Sequence, residues 1–164
     1  MRIETYRKIS AWFYGHVWAY KLLVRLNNFL PALFYVLYPV LLGILAARGD
    51  VRLWRVLCVP AAAFGVCTVV RRLVHAPRPY ERVWFEPLMV HDGTGNSFPS
   101  RHVTSAAVIA TAYGYVWPLA GVVLGVAAGC IAVGRVLAGI HYLRDVLAGG
   151  ALGAGFGLVG FWLL

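Results

Sequence analysis

Acidic residues are scarce in this chain. Asp and Glu number 6 against 15 Lys and Arg, a formal net charge of +9. Glu81, Glu86 and Asp92 are scattered through one stretch, so no acidic cluster marks a magnesium site. Charge of either sign is thin: 13% of residues are charged and 61% hydrophobic, with a mean hydropathy of +0.74. Soluble domains carry about 25% charge, so the composition excludes disorder, a collagen-like chain and an ordinary soluble fold. An integral membrane protein remains. Cysteine is limited to Cys58, Cys67 and Cys130, an odd number without a Cys-x-x-Cys pair. That speaks against a disulfide framework or a zinc site and for packed small hydrophobes. No basic stripe with interleaved aromatics accompanies the positive charge, so no nucleic-acid partner is expected. The start MRIETYRKIS is basic, but His16, Lys21 and Arg25 follow it without a small-residue cleavage site. A cleavable signal peptide is therefore not expected, and targeting would come from the spans themselves. Internal repeats and low-complexity linkers are lacking too, and 164 residues fit one domain, 1–164.

What is present is a series of apolar runs. A helix needs about 20 residues to cross roughly 30 Å of hydrocarbon. Leu26 to Ala47 is one uncharged run, and Leu53 to Val70 is interrupted only by Arg55. Val103 to Gly134 is uncharged but too long for one crossing. Pro118 divides it into spans of about 99–116 and 119–139. Val146 to Leu164 is the last span, and Gly149, Gly153 and Gly157 in it have the spacing that lets helices approach closely in lipid. Residues 7–28 are amphipathic, with Arg7, Lys21 and Arg25 on one stripe and Ile9, Phe13 and Leu23 mostly opposite. They fit a short first span or an interfacial helix, with Asn27-Asn28 and Pro31 marking a break before the next helix. The expected fold is all-α, a polytopic membrane helix bundle of about six transmembrane helices. With six, Arg2, Arg7 and Lys8 share a side with Arg48, Arg52 and Arg55, which Lys/Arg bias assigns to the cytoplasm. The polar segment 71–102 then faces outward.

Charges at span ends are the functional candidates, because a charge at bilayer depth costs about 2.5–3.5 kcal/mol on insertion scales. Three clusters stand out: Arg71, Arg72, His75, Arg78 and Arg82; Pro99-Ser100-Arg101-His102; and Arg135, His141, Arg144 and Asp145. Counting crossings puts all three at the same face of the membrane. Converging arginines suit a highly charged anion, since the guanidinium fork matches phosphate oxygens and stays charged. A Ser hydroxyl and backbone N–H groups at a helix start add donors. Two histidines allow one to attack phosphorus and the other to protonate the leaving oxygen. Asp145, four residues after His141, falls on the same helical side, where a carboxylate can fix the imidazole tautomer. Arginines can neutralise the developing equatorial charge, so phosphoryl transfer without metal or other cofactor is expected.

These clusters resemble the three-part signature of the type 2 phosphatidic acid phosphatase superfamily. The first part there is Lys, six residues, Arg-Pro; here Arg71 precedes Arg78-Pro79 at that spacing. The second is Pro-Ser-Gly-His; here it is Pro99-Ser100-Arg101-His102. The third is Ser-Arg, five residues, His, three residues, Asp; here it is Gly134-Arg135, His141 and Asp145. The motifs occupy 71–145. The resemblance implies that His141 is the nucleophile forming a phosphohistidine, that Asp145 orients it, and that His102 is the general acid. It implies that Arg71, Arg78, Arg135 and Ser100 hold the phosphoryl oxygens, with backbone N–H groups near Arg101, whose side chain adds a cation. Glycine at 134 removes one hydrogen bond that the family's serine could make. Arg72, His75, Arg82, His91 and Arg144 match no motif position and are read as interfacial or substrate-mouth residues, and segment 80–98 as a loop over the site.

The expected function is dephosphorylation of a membrane lipid phosphate or diphosphate: undecaprenyl diphosphate, phosphatidylglycerol phosphate or phosphatidic acid. The lipid would come from the bilayer, at the outer face of a bacterial cytoplasmic membrane. A lipid phosphotransferase using the same phosphohistidine, and a non-catalytic lipid-binding or transport protein, are the competing readings. Oligomeric state is not legible.

Overall fold

The computed structural model describes residues 3–82, 86–89 and 95–164. Residues 83–85 and 90–94 of the expected loop, including Trp84, Phe85, His91 and Asp92, lie outside the described residues, as does Arg2. The described elements are helices: α1 (Ile3–Gly15), α2 (Val17–Ala47), α3 (Leu53–Val74), the single turn α4 (Pro79–Arg82), α5 (Arg101–Val116), α6 (Pro118–Leu137) and α7 (Leu143–Leu158), which ends in a π-helical turn, Val159–Leu163. The all-α bundle is as expected. Among the described residues four helical segments are long and apolar enough to cross a bilayer: Val17–Ala47, Leu53–Arg82, Pro118–Leu137 and Leu143–Leu163.

The bundle carries its apolar side chains outward as well as inward. Trp18, Phe29 and Val36 on α2 and Leu119, Val122 and Val126 on α6 are exposed, which only a lipid solvent makes favourable. α5 is the central post. Its 16 residues span about 24 Å, and α2, α3, α6 and α7 all pack on it. It buries small residues (Ala106, Ala110, Ala112) beside Val108, Ile109 and Tyr113. Trp117 is extended and Pro118 opens α6, so the break falls where a proline at the first helical position favours it. The glycine spacing in α7 works as expected. A Cβ on Gly149 would meet the Ser100 carbonyl at 2.6 Å, and Cβ atoms on Gly153 and Gly157 would strike Thr104 and Thr111. The backbone of α7 lies directly against α5.

The N-terminal segment differs from expectation. Residues 7–28 do not form one element, and Asn27-Asn28 with Pro31 does not break the chain. The break is at His16, which follows Gly15 and has φ −126° and ψ 79°. α2 then runs through both Pro31 and Pro39. Proline removes one backbone hydrogen bond, but inside a membrane bundle neighbouring helices support the helix around it. α1, at 13 residues or about 20 Å, is too short to cross. It packs instead at one end of the bundle, where Phe13 joins Ala19, Leu23 and Leu88 against Leu137. Tyr6 is buried there, its hydroxyl accepting from the Leu88 N–H at 3.4 Å, and burial pushes its pKa up to about 12. Arg7 and Lys8 therefore belong to the end opposite Arg48, Arg52 and Arg55. The six-span premise that grouped them together is corrected.

The two ends are built differently. At the α2–α3 turn, Gly49 takes φ +61° and donates to Ala46, closing α2 as a left-handed glycine does. Arg52 grips Asp50 through Nε and Nη2, the shortest contact being 2.6 Å, and this holds the Asp50 carboxyl down at about 2. At the opposite end the C-termini of α3 and α6 meet the N-termini of α5 and α7. Ser97 N donates to Ala76 O at 2.8 Å, Ser100 N to Asp145 O at 2.9 Å and Leu88 N to Ala138 O at 3.1 Å. All three charged clusters converge on this end.

Candidate active site

Each cluster is placed by local backbone chemistry. α3 runs on to Val74, four residues beyond the apolar span, so Arg71 and Arg72 occupy its last turn. His75 closes the helix in the left-handed conformation, φ 42°. The chain then turns through Arg78, whose N–H donates to Glu81 Oε2 at 2.7 Å, while Glu81 Oε1 accepts the Gly95 N–H at 2.6 Å. One carboxylate thus fixes both the Arg78 turn and the chain entering the second motif. Arg71 Nη1 donates to the Pro99 carbonyl at 2.7 Å, which ties the first motif to the second.

Ser100 is the N-cap of α5 and is fully buried. Its carbonyl accepts from Thr104 N and Thr104 Oγ1, and its Oγ has no protein partner among the described residues. The first N–H groups of α5, from Arg101 and His102, have no carbonyl four residues back, as at any helix start. The Arg101 side chain is exposed, with its guanidinium carbon 5.7 Å from the centroid of the Phe64 ring on α3. Arg71, Arg78 and Arg101 lie within electrostatic reach of one another. His102 is the second residue of α5, on the flank facing α2 and α6, in a small cavity with Pro31, Tyr35 and Ile131.

The third motif forms the floor. After α6, Gly139 turns with φ +76° directly beneath the Tyr6 ring, where any Cβ would clash. His141, 3% exposed, is delivered by this turn, its N–H reaching back to Arg135 O at 3.3 Å. Asp145, at the third position of α7, accepts the Tyr142 N–H at 3.0 Å, the carboxylate half of a capping box. Its other oxygen lies 3.4 Å from Arg144 Nε. Asp145 and His141 form a long direct contact, with Nδ1 3.6 Å from Oδ2. The Ser97 hydroxyl lies beside this pair, 2.6 Å from Asp145 Oδ2 and 3.3 Å from His141 Nδ1, in a side chain with no exposure. Burial, with Arg78 and Arg135 nearby, pushes the His141 pKa below the ordinary imidazole value against the opposing pull of Asp145.

Arg78 and Arg135 are buried with donors to spare. Arg78 Nε and Nη1 and Arg135 Nε have no protein partner among the described residues. Unpaired buried donors are costly, and three of them together with Ser100 Oγ match an anion of several oxygens. Among the described residues no three His, Cys, Asp or Glu side chains are grouped as a metal would need.

Two neighbours escaped the sequence. Ser97 reads as one polar residue in a loop, and nothing in its spacing marks it. Asn27 reads as a helix breaker. It is instead a buried residue of α2 whose backbone carbonyl accepts from Arg135 Nη2 at 3.4 Å and whose amide lies over Gly134, where a Cβ would come within 2.8 Å of Nδ2. Asn27 fills the space in which the family's serine would stand, so glycine at 134 is a packing requirement as well as a lost hydroxyl. Its only signal is a pair of amides within an otherwise apolar run.

A sequence model of the PAP2 superfamily matches residues 52–164. The chain belongs to the PAP2 superfamily. Lipid A 1-phosphatase of Rhizobium johnstonii is 31% identical over 99 residues, which cover 57% of this chain and 40% of that protein. The chain thus spans about two fifths of the length of the curated relative it matches. Aquifex aeolicus LpxE superposes with a TM-score of 0.70 at 25% identity, covering 96% of this chain and 93% of that one. The fold is shared as well with the transmembrane PAP2-type phosphatidylglycerolphosphate phosphatase of Bacillus subtilis, at a TM-score of 0.69 and 24% identity over 87% of this chain and 75% of that one. These PAP2 proteins share the multi-pass helical architecture described above.

Proposed function

We propose that this PAP2 protein hydrolyses the terminal phosphate of a membrane lipid through a phosphohistidine intermediate. One observation carries the reading: donors of Arg78, Arg135 and Ser100 with no partner among the described residues lie at the bundle end that also buries His141. His141 attacks phosphorus through Nε2 while the arginines and the first N–H groups of α5 neutralise the equatorial oxygens. His102 gives its proton to the departing lipid oxygen, then takes one from the water that cleaves the phosphohistidine. Arg71, held on the Pro99 carbonyl, adds positive charge beside the second motif. Arg101 contributes its N–H and a cation at the rim. Every step uses side chains of the chain, so EDTA leaves activity unchanged.

The substrate class is a lipid phosphomonoester or diphosphate. Phosphatidylglycerol phosphate, phosphatidic acid and undecaprenyl diphosphate are the candidates from the sequence, and the names of the relatives support the first and add lipid A 1-phosphate. A cavity of about 270 Å³ lined by Arg82, Tyr142, Leu143 and Arg144 adjoins the His141 turn and suits the rest of an anionic head group. On this reading the site lies at the outer face of the bacterial inner membrane; Arg48, Arg52 and Arg55 at the far end are opposed by Arg7, Lys8, Arg71, Arg72 and Arg82 at the site end, so Lys/Arg bias does not decide the side and labelling does. On a chain with Cys58, Cys67 and Cys130 replaced by alanine, an impermeant maleimide added to whole cells then labels Glu86→Cys and not Val51→Cys.

The test is phosphate release from these four lipids, one at a time, by purified protein with EDTA present. Release from at least one, abolished in His141→Ala, supports hydrolysis. Release that persists in His141→Ala overturns the nucleophile, and binding without turnover of any lipid favours a transport or binding role. In oxygen-labelled water the label enters the released phosphate. Label absent, with phosphate moved to a second lipid, indicates a phosphotransferase.

A further inference from the structure

We propose that Ser97 is a positioning residue that couples Asp145 to His141 and fixes the tautomer of the imidazole. The proposal rests on the reading of His141 as the nucleophile. A hydroxyl has one proton and an ionised carboxylate has none. With Ser97 Oγ 2.6 Å from Asp145 Oδ2, that proton is committed to the carboxylate. Toward His141 the same oxygen can then only accept, so at 3.3 Å Nδ1 must carry the imidazole proton. Nε2 is left with its lone pair, which is the form that can bond to phosphorus.

Asp145 is the more distant acceptor for Nδ1, at 3.6 Å against 3.3 Å for Ser97 Oγ, and its Oδ2 also accepts the Tyr142 N–H. Ser97 is itself held in place: its N–H donates to Ala76 O at 2.8 Å, and the Gly95 N–H two residues earlier is fixed on Glu81. The side chain has no exposure, so its hydroxyl is set by these protein contacts. The charged groups that bear on His141 come from three directions: Arg78 after α3, Arg135 on α6 and Asp145 on α7. Both arginines repel a proton on the ring. The Ser97–Asp145 pair is the element that draws the Nδ1–H to one side. As phosphorus bonds to Nε2 the ring becomes cationic, and the Nδ1–H to Ser97 to Asp145 chain stabilises that charge without transferring a proton.

The experiment measures kcat and KM of the purified full chain on the best lipid of the panel for Ser97→Ala, Ser97→Thr, Ser97→Cys and Asp145→Asn, and for Ser97→Ala combined with Asp145→Asn. Ser97→Ala is expected to lower kcat about 10- to 100-fold, the cost of a misaligned reacting group, with KM within about twofold. Ser97→Thr, which keeps the hydroxyl, restores more of kcat than Ser97→Cys, whose thiol is a weak partner. In the Asp145→Asn background the Ser97→Ala cost shrinks to less than about threefold, since both act through one ring. Full kcat in Ser97→Ala, or costs that multiply in the double variant, overturns the proposal while leaving the nucleophile in place. If Ser97→Ala is not recovered folded, Ser97→Cys against Ser97→Thr decides alone: equal kcat values overturn it. Full activity in His141→Ala removes the underlying reading instead.

Discussion

The two ends of this bundle use the same residues to opposite effect. At the α2–α3 turn an aspartate and an arginine two residues apart saturate each other at the surface, and the pair closes a loop. At the other end an aspartate and several arginines are buried, yet Asp145 faces a serine and a histidine rather than the guanidiniums of Arg78 and Arg135. The Glu81 carboxylate takes the Arg78 backbone N–H and leaves its guanidinium unpaired among the described residues, while Arg135 Nη2 reaches the Asn27 carbonyl. A guanidinium with no ion-pair partner of its own keeps its charge for a ligand. One neutralised by a neighbouring carboxylate does not. The difference between a structural and a functional ion lies in who satisfies it.

That contrast can be broken in order of expected effect. His141→Ala should reduce turnover by at least about 10³-fold, because the proposed mechanism carries phosphorus on this ring, with the helical circular dichroism signal unchanged. Arg135→Lys or Arg78→Lys should cost on the order of 10²-fold in kcat/KM despite keeping the charge, since lysine lacks the planar fork. A carboxylate beside the free guanidinium would test the distinction more directly. Gly134→Asp would displace Asn27 and pair with Arg135, and should lose about as much activity as Arg135→Lys, read as phosphate release per folded protein.

Next in size is the pH response. In the proposed mechanism the attacking His141 imidazole must be neutral, and burial lowers its affinity for a proton. The acid limb of kcat/KM should therefore fall below pH 6.5, the free-imidazole value. Arg78→Gln should move that limb upward, because one like charge is removed. The same sign governs stability: the unfolded chain binds the His141 proton more readily, so this group's contribution is full above about 6.5 and is lost as pH falls from there to the lowered folded value. At the far end, Asp50→Asn should leave turnover within about twofold. A large activity loss there would mean that the ends are mechanically coupled.

Much of the architecture was legible because lipid imposes one requirement, long apolar helices, and charge is expensive enough to mark its exceptions. Counting crossings put Arg78, Ser100 and His141 at one end, and their hydrogen-bonded neighbours are there. Pro118 ended a helix as written, but Pro31 did not, because the same residue is a terminator in one packing context and tolerated in another. Asn27 was misread for the same reason: an amide is a turn signal in water but, inside a bundle, a polar group with a partner on another helix. Ser97 was illegible because its role is set by its contacts with two side chains of another segment, and sequence holds no distances.

The glycine seam between α5 and α7 has a mechanical consequence. Because the two backbones meet without intervening side chains, and Ser100 N is bonded to Asp145 O, the cradle and its imidazole floor travel as one rigid block. Thinning of the bilayer or a change in lateral pressure will first tilt the helix that packs least on this block, α2, since α6 also meets α5 backbone to backbone at Gly114 and Gly121. Chemistry in such a block should be insulated from the thickness and composition of the membrane around it, even though the lipid must cross that changing boundary to arrive.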